Sequence, residues 1–308
     1  TPVADLDSRA IVLGSTIYGM DIALPGMLYA ALAFPPTLRG RVIGFDASQA
    51  LDVPGVRQVF EIDSGIALVA ENTWAALQGV RALQGNWEAG GNANLSSSSI
   101  RDIFLSNGDP SVAQESQILE AVYEIPFYAH APLEPMNCVA DVTSTSCEVW
   151  APTQNPGQAL SRISALTGLH RDSIQIHIPR VGGGFGRRLQ VDYVEQAVQI
   201  SSHAGAPVKL IWTREQDMQH GYFHPLSVHH ASVDLSQLDL PHINSQTFQS
   251  WGDLTYAWRS VTNFTDAFVR EFGEWCAEHD VRGKYSVVPF PCCVGWLDRE
   301  LPGWSRRE

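Results

Sequence analysis

Hydrophobic and polar positions alternate or cluster in short runs over the first 90 residues, broken by glycine and proline. "MLYAALAF", closed by Pro35-Pro36, then "RVIGFDAS", "GVRQVFEI" and "GIALVAEN" read as strands. "TWAALQGVRALQGNW" spaces Trp74, Leu77, Val80, Arg81 and Leu83 as one face of an amphipathic helix. Residues 10–90 are therefore expected to be a compact α+β domain. "EAGGNANLSSSSIRD", residues 88–102, has the small, polar composition of a flexible connection, and 91–116 is taken as a linker.

A second domain is expected over 117–228. "CEVWAP" and "SIQIHIP" read as strands around the helical "NPGQALSRISALTGL", which Gly168 would stop. "IQIHI" is followed by the loop "PRVGGGFGRR" and the helical "LQVDYVEQAVQISSHAG". Tyr193, Val194, Ala197, Val198 and Ile200 would form the apolar side of that helix, with Gly205 and Pro207 as its stop and "VKLIW" as the next strand. From about residue 229 the pattern becomes weak and polar. It gives way to the helical "TDAFVREFGEWCAEHD", with Thr265 as N-cap and Phe268, Phe272 and Trp275 on one side, and to the strand-like "GKYSVV".

Composition narrows the function. Hydrophobic content of 44% with 17% charged residues is that of a folded chain, and a net charge of −13 argues against a nucleic-acid partner. No apolar run is long enough to span a membrane. The chain starts at Thr1, so either a leader was removed or a longer protein is represented in part. Cys138 and Cys147 flank "VADVTSTS" and could face each other across a hairpin, although reduced thiols are the simpler expectation; the compartment stays open.

Four glycines around one phenylalanine need a reason. A Walker loop requires Gly-Lys-Ser/Thr, but Arg187, Arg188 and Leu189 follow here; a dinucleotide fingerprint fails because its last glycine position falls on Arg187 or Leu189. The order strand, glycine loop, helix places backbone N–H groups and a helix N-terminus together, which favours an anion. A tight turn packed under a sheet is the plainer alternative.

"RVGGGFGRR", with "APTQNPGQ" and "AHAPLEPMNCVADV" upstream and "PVKLIWTREQDMQHGYFHP" downstream, resembles the large subunit of the molybdenum hydroxylases. The similarity runs over about residues 1–228. It is greatest to the branch of the xanthine dehydrogenase and aldehyde oxidase family that holds the isoquinoline 1-oxidoreductase beta-subunits. It implies an α+β fold: an a/b hammerhead domain over 10–90, followed by the first part of a molybdopterin-binding domain. It also implies a molybdopterin cytosine dinucleotide cofactor and hydroxylation of an aldehyde or N-heteroaromatic substrate with water-derived oxygen. Electrons would pass to a small partner subunit carrying [2Fe–2S] clusters. By the same resemblance Gln154 would lie near a molybdenum oxo group, and Gly183, Gly184, Phe185 and Gly186 would form the cofactor loop. Arg187 and Arg188 would meet pterin phosphates, or else be solvated surface. No protein side chain is expected to ligate the metal directly.

Two departures qualify this. Leu189 stands where the purine-oxidising branch has a glutamate, which turns the expected substrate towards an apolar heterocycle or aldehyde. The family's glutamate base, in a Gly-x-Gly-Glu-like motif, is not found; Glu300 in "CVGWLDRE" lacks the flanking pattern. The catalytic residue therefore stays unknown, and a catalytically incomplete remnant or fusion is the alternative. Residues 229–308 do not match the family and vaguely suggest a deacetylase-like barrel. His220 and His224 have the spacing of a zinc pair, and Cys276, His279, Cys292 and Cys293 have an irregular one; both are expected to be ordinary residues. The resemblance places His130 and Glu134 near the substrate funnel, with a structural role the simpler reading for the histidine.

Overall fold

The computed structural model describes residues 6–106 except 39 and 92, then 118–234, 242–251 and 253–264. The chain divides into two compact units. Among described residues the first holds 6–106 and 123–228 with 248–251 and 253–259; the second holds 118–122, 229–234, 242–247 and 260–264, all of them strand.

The chain begins with α1 (Ser8–Val12), β1 (Leu28–Ala33), β2 (Arg41–Asp46), α2 (Ser48–Leu51), β3 (Val56–Ile62), β4 (Gly65–Ala70), α3 (Thr73–Ala82), β5 (Gln84–Glu88) and α4 (Ser97–Ser106). After β6 (Ile118–Ile125) come β7 (Tyr128–Ala129), β8 (Asn137–Val142), β9 (Cys147–Trp150), α5 (Pro156–Thr167) and β10 (Ile174–His177). Next are α6 (Asp192–Ala204), β11 (Val208–Ile211), α7 (Arg214–His220) and β12 (Phe223–His224). The strands β13 (Ser227–Asp234), β14 (His242–Trp251) and β15 (Asp253–Phe264) form a four-stranded sheet with β6, in the order β15–β14–β13–β6.

A seven-stranded sheet, β10–β9–β8–β11–β1–β4–β3, carries the core. Strands from the first 90 residues and from 137–211 share it, joined where β1 runs parallel to β11 with Ala30 opposite Leu210. β4 is buried at every position, as its unbroken apolar run demands of a strand covered on both faces. α6 brings Tyr193, Val194, Ala197, Val198 and Ile200 into the main core with Ala140, Val149, Leu210 and Trp212, on the side its periodicity assigns.

Caps explain the helix ends. Asn155 Oδ1 accepts from Gln158 N–H at 3.2 Å ahead of Pro156, and Gly168 closes α5 in the left-handed conformation at φ 72°. Thr213 and Gln216 form a reciprocal capping box on α7.

Several expectations need correction. The helix expected to run to Trp87 stops at Ala82, and residues 84–88 become β5, whose half-buried Gly85 and Trp87 alternate with exposed neighbours and pair with β2. The buried side of α3 is Ala75, Ala76 and Gly79 rather than Trp74, because the helix lies close on the sheet: a Cβ added at Gly79 would stand 2.9 Å from Leu68 Cδ2. Within the expected linker, 97–106 is α4. There the Ser96 hydroxyl accepts from Ser99 N–H at 3.1 Å as a cap, and Ile100 is buried with Leu226 and Val228. The described residues of the stretch after 229, read as weakly patterned, are strand. The helix and strand expected over 265–288, and Cys276, His279, Cys292, Cys293 and Glu300, lie outside the described residues. Cys138 and Cys147 are buried free thiols; β8 and β9 do form a hairpin, but Cys147 sits opposite Val142.

Leu210 is wholly buried at the junction of the two groups of strands, with Ala30 on one side and Cys138 on the other. Leu210→Ala is expected to lower stability by about 2–5 kcal/mol, the usual range for a leucine deleted from a packed core. Urea unfolding monitored by tryptophan fluorescence measures it, and a loss below about 1 kcal/mol would show that the junction is loosely packed.

Candidate functional site

The glycine loop leaves the sheet after β10 and ends in a 3-10 turn at Arg187–Leu189. It is not sealed inside the protein: Gly182, Gly183, Gly184 and Gly186 are half-buried, and Phe185 is 68% exposed. Phe185 has φ 51°, a conformation unusual for a residue with a side chain, between Gly183 at φ 100° and Gly186 at φ 94°. Two of the glycines are required by close approach. A Cβ on Gly182 would stand 2.5 Å from Glu134 Cβ, and one on Gly184 would stand 2.6 Å from Gln154 Oε1.

Gln154 and its neighbours run beside the end of this loop. Gln154 N–H donates to Arg188 O (3.0 Å), Arg188 N–H donates to Gln154 Oε1 (3.2 Å), and Thr153 Oγ1 donates to Arg188 O (3.2 Å). With its Oε1 engaged, exposed Gln154 has the two Nε2 hydrogens left to offer another molecule.

The two arginines contradict one of the readings made for them. Neither is solvated surface: Arg187 is 2% exposed and Arg188 0%. Arg187 forms a two-pronged pair with Asp192 (2.9 and 2.8 Å) and lies over the rings of Trp212 and Tyr222. Arg188 donates to Gly183 O (2.8 Å), Glu134 O (2.7 Å) and Glu134 Oε2 (3.2 Å), above the Tyr193 ring. Buried guanidinium groups need carboxylate and carbonyl partners, and these take both Nη atoms of Arg187 and the Nε and Nη2 of Arg188, while Arg187 Nε and Arg188 Nη1 are buried without a partner. The anion site expected at the helix N-terminus is also altered: the turn at 187–189 separates the loop from α6, and the first turn of α6 carries Asp192 and Glu195, negative charges of the chain's own.

Further side chains join the site from the segments on either side of the loop that share the resemblance. Arg214 of α7 pairs with buried Asp217 (2.6 Å) and donates to Pro132 O and Leu133 O, bracing the segment that leads to Glu134. Burial raises the Asp217 carboxyl, and Arg214 opposes that shift. His130 Nδ1 lies 3.1 Å from Tyr222 O, which accepts only, so Nδ1 carries the proton and Nε2 keeps its lone pair. That Nε2 faces the loop, 3.7 Å from where a side chain on Gly186 would begin. The rings of His130 and His224 lie 4.0 Å apart, and Tyr128 stacks on His224. His220 ends α7 and His224 lies in β12, so the pair does not share a helix; no cluster of three metal-ligating side chains occurs among the described residues. Leu189 is about half exposed beside the turn.

Comparison with known proteins fits this geometry. The family description "Molybdopterin cofactor-binding domain" matches residues 96–233. The beta chain of isoquinoline 1-oxidoreductase from Brevundimonas diminuta is 31% identical over 235 residues, 69% of this chain and 30% of that protein. Residues 96–233 thus carry a molybdopterin cofactor-binding domain, and the chain is a homologue of molybdenum hydroxylase subunits. A nicotinate dehydrogenase subunit of Pseudomonas putida is 29% identical over 236 residues, 70% of this chain and 20% of that protein. The chain thus spans a third or less of these relatives. The structure of quinoline 2-oxidoreductase from Pseudomonas putida 86 superposes with a TM-score of 0.60 at 17% identity, over 76% of this chain and 37% of that one, and so shares the mixed α/β fold. Among the described residues of the chain, no helix is long and apolar enough to cross a membrane.

Burial, and then the neighbouring His224, lower the His130 pKa to about 4. The unfolded chain therefore takes up a proton near pH 6.5 that the folded chain refuses until about pH 4, so stability falls as the pH drops through that window and levels off below it. Burial also lowers His220 and His224, which act in the same direction. His130→Asn is expected to make urea midpoints between pH 7 and pH 4 less pH-dependent than those of the native chain. An unchanged pH dependence would mean that His130 titrates alike in both states.

Proposed function

We propose that this chain supplies the cofactor-binding part of an oxidoreductase acting on an aldehyde or N-heteroaromatic substrate, with residues 10–90 as its hammerhead-type domain. The cofactor would be molybdopterin cytosine dinucleotide, and a small [2Fe–2S] subunit would accept the electrons. The observation that carries the reading is the half-exposed backbone of residues 182–186, held between Gln154 and His130 with glycine wherever a side chain would collide.

The residues fit a bound pterin cofactor in part. Gly183, Gly184, Phe185 and Gly186 offer backbone to a ligand at close range, and the Gln154 amide is a neutral donor suited to an oxo group. Arg187 and Arg188 shape the loop from inside, and the donors left for a phosphate would be Arg187 Nε and Arg188 Nη1. When bound, the cofactor supplies the oxygen insertion and accepts the electrons. The chain's own work is to hold the loop, to present the Gln154 amide, and to keep the His130 Nε2 lone pair beside Gly186. Leu189, exposed and apolar, favours an apolar substrate on this side.

A catalytically incomplete chain is the second reading, favoured because no Gly-x-Gly-Glu-like motif occurs in its 308 residues. Metal analysis after reconstitution, with nucleotide release by acid, separates the two at the level of cofactor binding. About one molybdenum per chain with a cytosine nucleotide is expected, and protein that stays metal-free would sink the cofactor reading. Gly184→Ala, which sets a methyl against Gln154 Oε1, is expected to lower molybdenum content about tenfold while circular dichroism stays unchanged.

A further inference from the structure

One carboxylate beneath the glycine loop meets four donors. Glu134 Oε2 accepts from Gly182 N–H (2.8 Å) and Arg188 Nη2 (3.2 Å), while Oε1 accepts from Met20 N–H (3.1 Å) and Asn137 Nδ2 (3.0 Å). The backbone of Glu134 adds to this, its N–H donating to Gly182 O (3.1 Å) and its carbonyl accepting from Arg188 Nη2 (2.7 Å). The residue is 7% exposed. We infer that Glu134 is the positioning residue of the loop, fixing Gly182 directly and Gly183 through Arg188, so that residues 183–186 keep their backbone turned to a ligand. The inference rests on the reading of this loop as the cofactor site.

The residue type follows from the partners. All four are donors, so the position requires a group that accepts at both ends, and only a carboxylate of this length does so here. Glutamine has the same shape but must turn an NH2 against two donors whichever way it rotates. One of the four donors comes from the segment before β1. Met20 gives its N–H to Glu134 and its carbonyl to Lys209 Nζ (2.7 Å), and Tyr18 bridges to Arg180 at the start of the loop. The carboxylate therefore ties three stretches of chain that are remote in sequence: residues 18–21, residue 137 and residues 182–188.

A rival account is that Glu134 merely neutralises buried Arg188. The two differ in what happens when both charges go. In the full chain, Glu134→Gln is expected to speed amide exchange at Gly182 by about tenfold or more, the factor for one net hydrogen bond lost, while amides of α5 and β8 keep their protection. The double variant Glu134→Gln with Arg188→Met removes both charges of this pair, and there too Gly182 should exchange about tenfold faster. Native exchange at Gly182 in the double variant would overturn the proposal, and so would a double variant that fails to fold, since the carboxylate would then serve the whole core. Molybdenum uptake by the same proteins forms a separate arm. A native chain that takes up none removes the cofactor reading and leaves the exchange result to judge Glu134. A native chain that loads, with a Glu134→Gln chain loading about tenfold less, supports both.

Discussion

A guanidinium can be kept away from water only where oxygen atoms close around it, and residues 182–188 meet that condition twice. Arg188 is enclosed by the carboxylate and carbonyl of Glu134 and the carbonyl of Gly183; Arg187 by Asp192 and two aromatic faces. Each pairing fixes a piece of backbone as well as a charge. The loop cannot move without stranding one of these cations, because removing either partner of a buried pair leaves an uncompensated charge in the interior. The path of the glycines, the start of α6 and the docking of residues 18–21 all follow from that constraint.

Much of the scaffold was legible in the sequence where a local rule decides. Proline at the first helical position, Gly168 after the last turn and the apolar stripe of α6 give α5 and α6 within a residue or two. The strands of the large sheet show as apolar runs between glycines and prolines. Their order does not, since β1 lies beside β11 across nearly 180 residues and no local pattern encodes that pairing. The misreadings share a cause. Ser96 caps a helix and Gly79 allows one to lie close on the sheet, but composition counts both residues as flexible. The helical spacing of Trp74, Leu77, Val80 and Arg81 ran on into Leu83 and Trp87, where period-two alternation in fact takes over.

The site divides in the same way. The glycine loop stood out in the sequence because glycines are seldom so clustered, whereas Gln154 was singled out by the resemblance alone. The burial of the arginines was not legible, since a sequence shows a charge and not its partner: Asp192 lies 5 positions after Arg187, whereas Glu134 lies 54 positions before Arg188. Trp212 and Arg214 lie in a segment quoted for the resemblance but were given no role there, and Met20 lies in no quoted segment. The nearest signal was the glutamate of "LEP", placed near a substrate funnel by resemblance when its carboxylate in fact faces inward under the loop.

Rigidity and exposure are usually opposed in a loop, because backbone that faces a ligand has few protein partners. Here they are reconciled by direction. Gly182 N–H and the Gly183 carbonyl are bonded inward to Glu134 and Arg188, and Gln154 Oε1 is taken by Arg188 N–H. What remains turned outward is the strained backbone at Phe185, the Gln154 amide hydrogens and the His130 lone pair. Ion pairs this deep are little screened by salt, so the loop's shape is insulated from the solution it faces. A ligand arriving at such a loop meets donors already oriented and has less ordering to impose, and a cofactor that must be held in one pose needs that from its protein.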